Sequence, residues 1–246
     1  MCGIVGYLGK ADAVQIILDG LEKLEYRGYD SSGIAIIENG KLSTRKLAGR
    51  LSNLKASLEK KHICGTVGVG HTRWATHGAP SDINAHPHVN EKGTIAVVHN
   101  GIIENYMPLK KELIEKGYKF NSDTDTEVVA HLIDMYYDGD LLQAVFKTVD
   151  RLKGAYALGV VSSLAPDELI AVRYESPLVL GIGDDELFVA SDIPAILKRT
   201  RNVVYLENND VVRLSNDGYE IYDKKRNKID REIKTIEWNV EAATKE

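Results

Sequence analysis

The chain has 246 residues, 43% of them hydrophobic and 27% charged, and a formal net charge of −5 at pH 7. This composition supports a substantial core and excludes an intrinsically disordered chain. The acidic balance gives no basic stripe for nucleic acid, and no apolar run approaches the ~18 residues that a membrane helix needs. The start lacks a secretory signal pattern, and two cysteines are too few for a disulfide framework. We therefore expect a cytoplasmic protein that binds neither nucleic acid nor membrane.

Hydrophobic periodicity predicts alternating strands and helices in the first third of the chain. Asp12 is a plausible N-cap for a helix, and Asn39-Gly40 supplies the positive φ angles of a two-residue hairpin turn. In chain order the predicted elements are a strand over 3–8, a helix after Asp12, hairpin strands over 34–38 and 41–47, and a helix over about 51–58.

The middle and the end of the chain separate helices from strands. Two strands over 67–71 and 94–99 flank a polar stretch, 73–92, which we predict to be loop. Three helices follow, the first closed by Gly117 and the second beginning at about Asp125. The remaining predicted strands are 155–161, 168–173, 178–183, 187–190, 211–214 and 219–222. Runs of helices beside runs of strands indicate an α+β fold.

Cys2 follows the initiating methionine, so removal of Met1 would place a thiol and a free α-amine on one residue. An N-terminal α-amine has a pKa near ~8, against ~10.4 for lysine, and can act as a base at neutral pH. Cys2 is therefore a candidate nucleophile that carries its own general base. The alternative is a small residue at the head of a buried strand.

Three other residue types, cysteine, tryptophan and histidine, invite a functional interpretation. Cys64 lies between Ile63 and Gly65, and we expect it to be a small buried apolar filler. Trp74, on composition alone, is expected in the core. Five of the seven histidines fall within residues 71–99, which raises a metal site as an alternative. However, no HExxH or CxxC pattern accompanies them, and no dinucleotide or Walker motif occurs, so we expect neither metal nor cofactor.

Polar residues collect in four segments, 26–31, 71–78, 99–101 and 122–127, which we expect to form one site on loops. Asn100 adjoins Gly101, so a side-chain amide and a backbone N–H could together stabilise an oxyanion. The alternative for this pair is a tight turn after a strand.

The same segments contain charged residues that could bind an α-amino acid. The guanidinium of Arg73 can hold a carboxylate with two parallel bonds, and Asp125 could pair with an ammonium group. The alternatives are a surface ion pair for Arg73 and a helix cap for the Asp/Thr run.

Considered together, these segments carry a family resemblance. MCGIVGY at the start, LEYRGYDSSG at 24–33, GHTRWATHG at 70–78, NAHPHV at 84–89, HNGIIEN at 99–105 and SDTDTEV at 122–128 resemble the glutaminase domains of glutamine–fructose-6-phosphate aminotransferases. Other N-terminal-cysteine amidotransferases look alike at the cysteine and at Asn-Gly, but are not expected to share the Tyr-Arg-Gly-Tyr-Asp and Thr-Arg-Trp-Ala-Thr-His segments.

The resemblance implies a fold and a reaction. The fold is a four-layer αββα sandwich of the N-terminal nucleophile hydrolase type, that of class II glutamine amidotransferases. The reaction is hydrolysis of L-glutamine to glutamate and ammonia by attack of Cys2, with no cofactor. The roles it implies are an oxyanion hole from Asn100 and Gly101, carboxylate binding by Arg73, Thr76 and His77, amine binding by Asp125 and Gly101, gating by Trp74, and ordering of the closed site by Arg27.

The resemblance also implies a larger enzyme. Residues 1–230 correspond to the glutaminase domain, and 231–246 to an exit segment toward sugar-phosphate isomerase domains that this chain lacks. Those domains would use the ammonia to convert fructose 6-phosphate to glucosamine 6-phosphate, and the full-length form is expected to be a homo-oligomer through them. A non-catalytic module of the same fold, the glutaminase domain of another N-terminal-cysteine amidotransferase and a metal-dependent hydrolase remain alternatives.

Overall fold

The computed structural model describes residues 2–60, 62–74 and 78–237. Its helices are α1 (Ala13–Glu22), α2 (Leu51–Lys60), α3 (Tyr106–Glu115), α4 (Glu127–Tyr136) and α5 (Leu141–Val149), with 3-10 turns at Glu25–Arg27 and Ile193–Ala195. Its strands are β1 (Gly3–Leu8), β2 (Ser31–Glu38), β3 (Lys41–Ala48), β4 (Val67–Arg73), β5 (His88–Val89), β6 (Ile95–Ile103), β7 (Gly154–Ser162), β8 (Ala165–Tyr174), β9 (Val179–Gly183), β10 (Glu186–Ala190), β11 (Asn202–Tyr205), β12 (Asp210–Ser215), β13 (Gly218–Tyr222), β14 (Lys228–Ile229) and β15 (Lys234–Thr235).

Within the described residues the strands form two antiparallel sheets. The first sheet has the order β15-β11-β9-β10-β1-β4-β2-β3, and the second has the order β14-β13-β12-β8-β7-β6-β5. In the first sheet β1 lies between β10 and β4, where Ile4 is opposite His71 and Gly3 is opposite Thr72. The start of the chain is therefore held at the centre of a sheet.

Three groups of buried side chains show how the layers stack. One group joins α1 and α2 to the outer face of the first sheet, through residues such as Ile17 and Leu54. A second group, including Ile4 and Val98, fills the space between the two sheets. A third joins α3, α4 and α5 to the outer face of the second sheet. Fully burying one such aliphatic side chain contributes ~1.5–3 kcal/mol, so these interfaces dominate stability. The predicted α+β class and its four-layer αββα arrangement are confirmed.

Local signals explain several elements. The side chain of Asp12 accepts a hydrogen bond from the Val14 N–H at 3.1 Å and so caps α1. Asn39 and Gly40 have φ angles of 50° and 73°, as a primed hairpin turn between β2 and β3 requires. Gly117, with φ of 95°, follows α3. These predictions are confirmed.

Other boundaries were predicted wrongly. The predicted loop 73–92 contains the last residue of β4 and all of β5, and β6 continues to Ile103 rather than ending at His99. Strands β11, β14 and β15 were not predicted. Strands β5, β14 and β15 each span only His88–Val89, Lys228–Ile229 and Lys234–Thr235, which is too short for an alternating pattern to appear. β11 and the end of β6 are held by pairing with strands distant in sequence, for which the local pattern carries no signal.

Residues beyond 230 still contact the sandwich. β15 pairs with β11 at the edge of the first sheet, and Ile236 is buried in the group that packs on α1 and α2. The domain boundary at residue 230 stays a prediction. In the described part of the chain, no helix is both long enough and apolar enough to cross a membrane.

Candidate active site

The predicted residues meet where the two sheets face each other. Cys2 precedes β1, Arg73 ends β4, and Asn100-Gly101 lies in β6 of the opposite sheet. A narrow cavity of 20 Å³ is lined by Cys2, Arg73, Trp74, His86, His99, Gly101, Thr124, Asp125 and Thr126. It has room for about one water molecule, so binding of an amino acid requires the lining residues to separate.

The thiol of Cys2 lies beside the backbone of Trp74. Its Sγ accepts a hydrogen bond from the Trp74 N–H at 3.3 Å and lies 3.6 Å from the Trp74 carbonyl oxygen. Burial raises the pKa of the Cys2 thiol above its ordinary value, although the backbone contact with Trp74 opposes this. The thiol is therefore protonated at neutral pH, and a base must remove its proton before it can attack.

Asn100 and Gly101 do not form a turn, so that alternative is wrong. Both are ladder residues of β6, opposite Ala157 and Tyr156 of β7. The Asn100 Nδ2 donates to the Cys2 carbonyl oxygen at 3.1 Å, which places the side-chain amide next to the nucleophile.

Only glycine fits at position 101. Gly101 has φ of 124°, and a Cβ there would lie 2.0 Å from the Ala155 carbonyl oxygen. This conformation is open to glycine and strained for other residues. Gly101 also lines the cavity that Cys2 lines.

Arg73 is buried, with 3% of its surface exposed, so the alternative of a surface ion pair is wrong. Its Nη2 donates to the Gly78 carbonyl oxygen at 3.1 Å. The guanidinium is thereby fixed on the wall of the cavity. The predicted Thr76 and His77 lie outside the described residues.

Asp125 is 5% exposed, and its Oδ2 accepts from the Ile103 N–H at 2.6 Å. The helix-cap alternative for this run is wrong, because Thr126 occupies the N-cap position of α4 without a side-chain capping bond. The Thr126 hydroxyl instead contacts His99 Nδ1 at 2.8 Å and His86 Nε2 at 3.0 Å. The segment that carries Asp125 is thus tied to β6 on one side and to histidines on the other.

Trp74 and Arg27 lie close to Cys2. Trp74 is 49% exposed, so its expected core position is wrong, and its ring meets Tyr29 edge-on at 5.6 Å. The Arg27 Nη1 donates to the Ser191 carbonyl oxygen at 3.0 Å and to Asp192 Oδ2 at 3.2 Å. Both residues border a second cavity of 310 Å³, which is lined by Cys2, Arg27, Trp74, Asn100, Gly101, Ile102, Ser176 and Pro177.

Four of the five histidines considered for a metal form a buried cluster. The His86 ring stacks on His71 at 4.2 Å and lies edge-on to His88 at 4.7 Å. Burial lowers the pKa of His71 to about 3 and that of His86 and His88 well below 6.5. Among the described residues, no group of three or more His, Cys, Asp or Glu side chains has the geometry of a metal site. One nitrogen of each ring contacts a hydroxyl or carbonyl group, for example His88 Nε2 at 3.0 Å from Thr124 Oγ1.

Sequence reasoning missed Glu127 and misplaced Cys64. The Glu127 carboxylate accepts from the N–H groups of Asn121 and Ser122 at 2.9 and 2.7 Å, and from the Ser122 hydroxyl at 2.6 Å. The signal was present, since a glutamate in the first turn of a helix commonly reaches back to preceding N–H groups. Cys64 is exposed and lies 3.5 Å from Glu38 Oε1, so the expectation of a buried filler is wrong.

Comparison with known proteins gives consistent results. Residues 55–239 match the glutamine amidotransferase domain family. Over its whole length the chain is 56% identical to the glutamine–fructose-6-phosphate aminotransferase [isomerizing] of Clostridium tetani and 51% identical to that of Aquifex aeolicus. It spans about 40% of the length of these relatives.

Solved structures show the same fold. The glutamine phosphoribosylpyrophosphate amidotransferase of B. subtilis, complexed with ADP and GMP, matches with a TM-score of 0.80 and 28% identity over 92% of this chain and 50% of that one. A glutamine aminotransferase class-II domain protein from Silicibacter pomeroyi shares the fold at 16% identity, with a TM-score of 0.61 over 90% of this chain and 99% of that one.

Proposed function

Because the chain belongs to the glutamine amidotransferase domain family, we propose that its site hydrolyses L-glutamine through Cys2. The observation that carries the proposal is a single cavity bordered by Cys2, Gly101, Arg73 and Asp125, with the Asn100 amide 3.1 Å from the backbone of Cys2. This set supplies a nucleophile, oxyanion donors and both charges that an α-amino acid requires.

Formation of the acyl-enzyme begins at the sulfur. With Met1 removed, the α-amine of Cys2 takes the thiol proton as Sγ bonds to the side-chain carbonyl carbon of glutamine. The carbonyl electrons move to oxygen, and Asn100 Nδ2 and the Gly101 N–H donate to that oxyanion. Collapse of the intermediate breaks the C–N bond, the α-ammonium returns its proton to the leaving nitrogen, and ammonia departs from a thioester.

Hydrolysis of the thioester repeats the same steps with water. The α-amine removes a proton from water as its oxygen bonds to the thioester carbon, and the two oxyanion donors again stabilise the intermediate. The C–S bond then breaks, the sulfur recovers its proton from the α-ammonium, and glutamate is released. No redox partner or cofactor enters this balance.

Substrate selection follows from the opposed charges. Arg73, with Thr76 and His77 of the following segment, holds the α-carboxylate, and its planar guanidinium favours two parallel bonds. The Ile103 N–H donates to Asp125 Oδ2, and Asp125 binds the α-ammonium through its other carboxylate oxygen, Oδ1. Support comes from the burial of both charged groups in the cavity wall.

Trp74 gates the site and Arg27 orders its closed form in this proposal. The Trp74 backbone contacts Sγ, and Trp74 is half-exposed and lines both cavities that Cys2 lines, which supports a gating role. Arg27 ties the first 3-10 turn to the Ser191-Asp192 pair beside β1, which fixes the approach to Cys2.

The relatives indicate a further role for the ammonia. In a longer protein like the aminotransferases that this chain resembles, the ammonia would aminate fructose 6-phosphate in isomerase domains, and those domains would form the oligomer contact. Residues 1–230 would then be the glutaminase unit and 231–246 the start of the connection. The support is the 56% identity to an aminotransferase of which this chain spans 40%.

The test compares two single-cysteine variants. Cys2→Ala should abolish glutamate release from glutamine in metal-free buffer, whereas Cys64→Ala, which changes an exposed thiol outside the site, should retain it. Undiminished glutamate release by Cys2→Ala, or loss of release in chelator by the unmodified chain, would overturn the proposal.

A further inference from the structure

The orientation of the Asn100 amide depends on a buried histidine from another sheet. His71 lies in β4 of the first sheet, is fully buried, and places Nε2 3.0 Å from Asn100 Oδ1. The same nitrogen lies 2.9 Å from the His99 carbonyl oxygen. His71 therefore reaches across the space between the sheets to the two residues that precede Gly101.

The His99 carbonyl determines which tautomer His71 adopts. A backbone carbonyl only accepts, so the His71 nitrogen that faces it must carry the proton. Burial lowers the pKa of His71 to about 3, so at neutral pH the ring is neutral and bears its one proton on Nε2.

The tautomer in turn determines which way the amide points. Because Nε2–H is a donor, the Asn100 atom that faces it must be the carbonyl oxygen. The Asn100 Nδ2 then points to the opposite side, where it donates to the Cys2 carbonyl oxygen at 3.1 Å. A rotated amide would place two donors together at His71 and present an oxygen toward the reacting centre.

We propose that His71 is a positioning residue that, through its Nε2–H bond to Oδ1, holds the Asn100 amide with its N–H groups toward Cys2. It touches no substrate and exchanges no proton, and its effect on glutamine hydrolysis passes entirely through Asn100. This inference rests on the proposed function, because an oriented donor matters only where an oxyanion develops.

His86 supports this arrangement from the other face of the ring. Its imidazole stacks on His71 at 4.2 Å, and its Nε2 contacts the Thr126 hydroxyl, next to Asp125. The stack restricts rotation of the His71 ring, so that Nε2 stays directed at β6. Through His71 and His86, Asn100 is thus linked to the segment that carries Asp125.

The experiment uses His71→Leu, which removes the donor, and His71→Gln, whose side-chain amide can place an N–H near the position of Nε2. Steady-state glutamate release is measured for both, and for His71→Leu combined with Asn100→Ala. His71→Leu should lower kcat by about tenfold or more and change KM little, since one net hydrogen bond is worth roughly a factor of ten and acts in the transition state. His71→Gln should recover most of kcat.

The double variant separates positioning from a general structural role. If His71 acts only through Asn100, adding His71→Leu to Asn100→Ala should cost nothing further in kcat. A second readout is alkylation of Cys2 by iodoacetamide, followed by peptide mass spectrometry with Cys64 as the internal reference. Displacement of iodide creates no oxyanion, so His71→Leu should leave the Cys2 rate within about twofold of the unmodified chain.

Each contrary result would overturn the inference. A further fall in kcat in the double variant, or a Cys2 alkylation rate that falls in parallel with kcat, would show that His71 acts on the fold around β1 instead. Equal kcat in His71→Leu and the unmodified chain would show that His71 does not position the Asn100 amide for catalysis. These outcomes leave the proposed function intact, since that depends on Cys2→Ala.

Discussion

The contribution of Glu127 to the free energy of unfolding can be worked out from the structure and tested. Its carboxylate is 3% exposed and accepts three hydrogen bonds from Asn121 and Ser122, at the start of the segment that leads to Asp125. Burial by itself raises the pKa of Glu127, but the contact with His131 Nε2 at 3.6 Å and the hydrogen bonds from the Ser122 hydroxyl and the backbone outweigh it and lower the pKa from 4.5 to about 2.

The lowered pKa converts into a pH-dependent stability. Between pH 4.5 and 2 the unfolded chain binds a proton at this position that the folded chain does not. The stabilisation is therefore complete above the unfolded pKa and is lost as the pH falls through the folded pKa. At 1.36 kcal/mol per pKa unit, it amounts to about 3 kcal/mol at pH 7 and about 1 kcal/mol at pH 3.

Glu127→Gln removes this charge. It also places an amide N–H₂, which only donates, near the backbone N–H groups that donate to the carboxylate. We expect urea unfolding to show a loss of stability that is about 2 kcal/mol larger at pH 7 than at pH 3. The matched control is Glu59→Gln, which changes an exposed glutamate of α2. It should change the free energy of unfolding by the same small amount at pH 7 and at pH 3. A Glu127→Gln deficit that does not change between pH 7 and pH 3 would refute the assignment of the carboxylate as ionised and hydrogen-bonded in the folded state.

The other predictions concern kinetics. Asn100→Ala should lower kcat by about 10²–10³-fold with little change in KM, because an oxyanion donor acts in the transition state; steady-state glutaminase assays that show only a KM change would contradict this role. Arg73→Ala should mainly raise KM for glutamine, measured in the same assay, and a fall confined to kcat would argue against a carboxylate clamp. Gly101→Ala should reduce both the midpoint of thermal unfolding and kcat, since its Cβ would lie 2.0 Å from the Ala155 carbonyl oxygen, and unchanged unfolding would show that β6 tolerates a side chain there.

The sequence predicted elements whose signals are local. The helix α1 with its Asp12 cap and the β2–β3 hairpin with its Asn39-Gly40 turn each depend on residues adjacent in the chain, and both were predicted correctly. Asn100-Gly101 has the same dipeptide as the hairpin, yet lies within a strand. What distinguishes the two is pairing with Ala157 and Tyr156, more than fifty residues away.

The candidate site was also predicted only in part, because some of its contacts depend on residues distant in sequence. Asn100, Arg73 and Asp125 could be selected by residue type and motif. In the structure Arg73 and Asp125 line the smaller cavity that borders Cys2, and Asn100 lines the larger one. The buried histidines were visible only as a dense group in the sequence. Their function as hydrogen-bond partners of Thr126 and Asn100 depends on how the two sheets face each other, which no local pattern encodes.

The central claim is that one residue, Cys2, supplies both the nucleophile and the base. A peptide nitrogen cannot accept a proton near neutral pH, whereas a free α-amine titrates near ~8, so retention of Met1 should remove general-base help of roughly 10²–10⁴-fold. The measurement is the rate of glutamate release by a preparation shown by mass to retain Met1, before and after treatment with a methionine aminopeptidase. We expect a folded, nearly inactive protein that gains activity as the mass of Met1 is lost. Equal rates before and after confirmed removal would show that the α-amine of Cys2 is not the base.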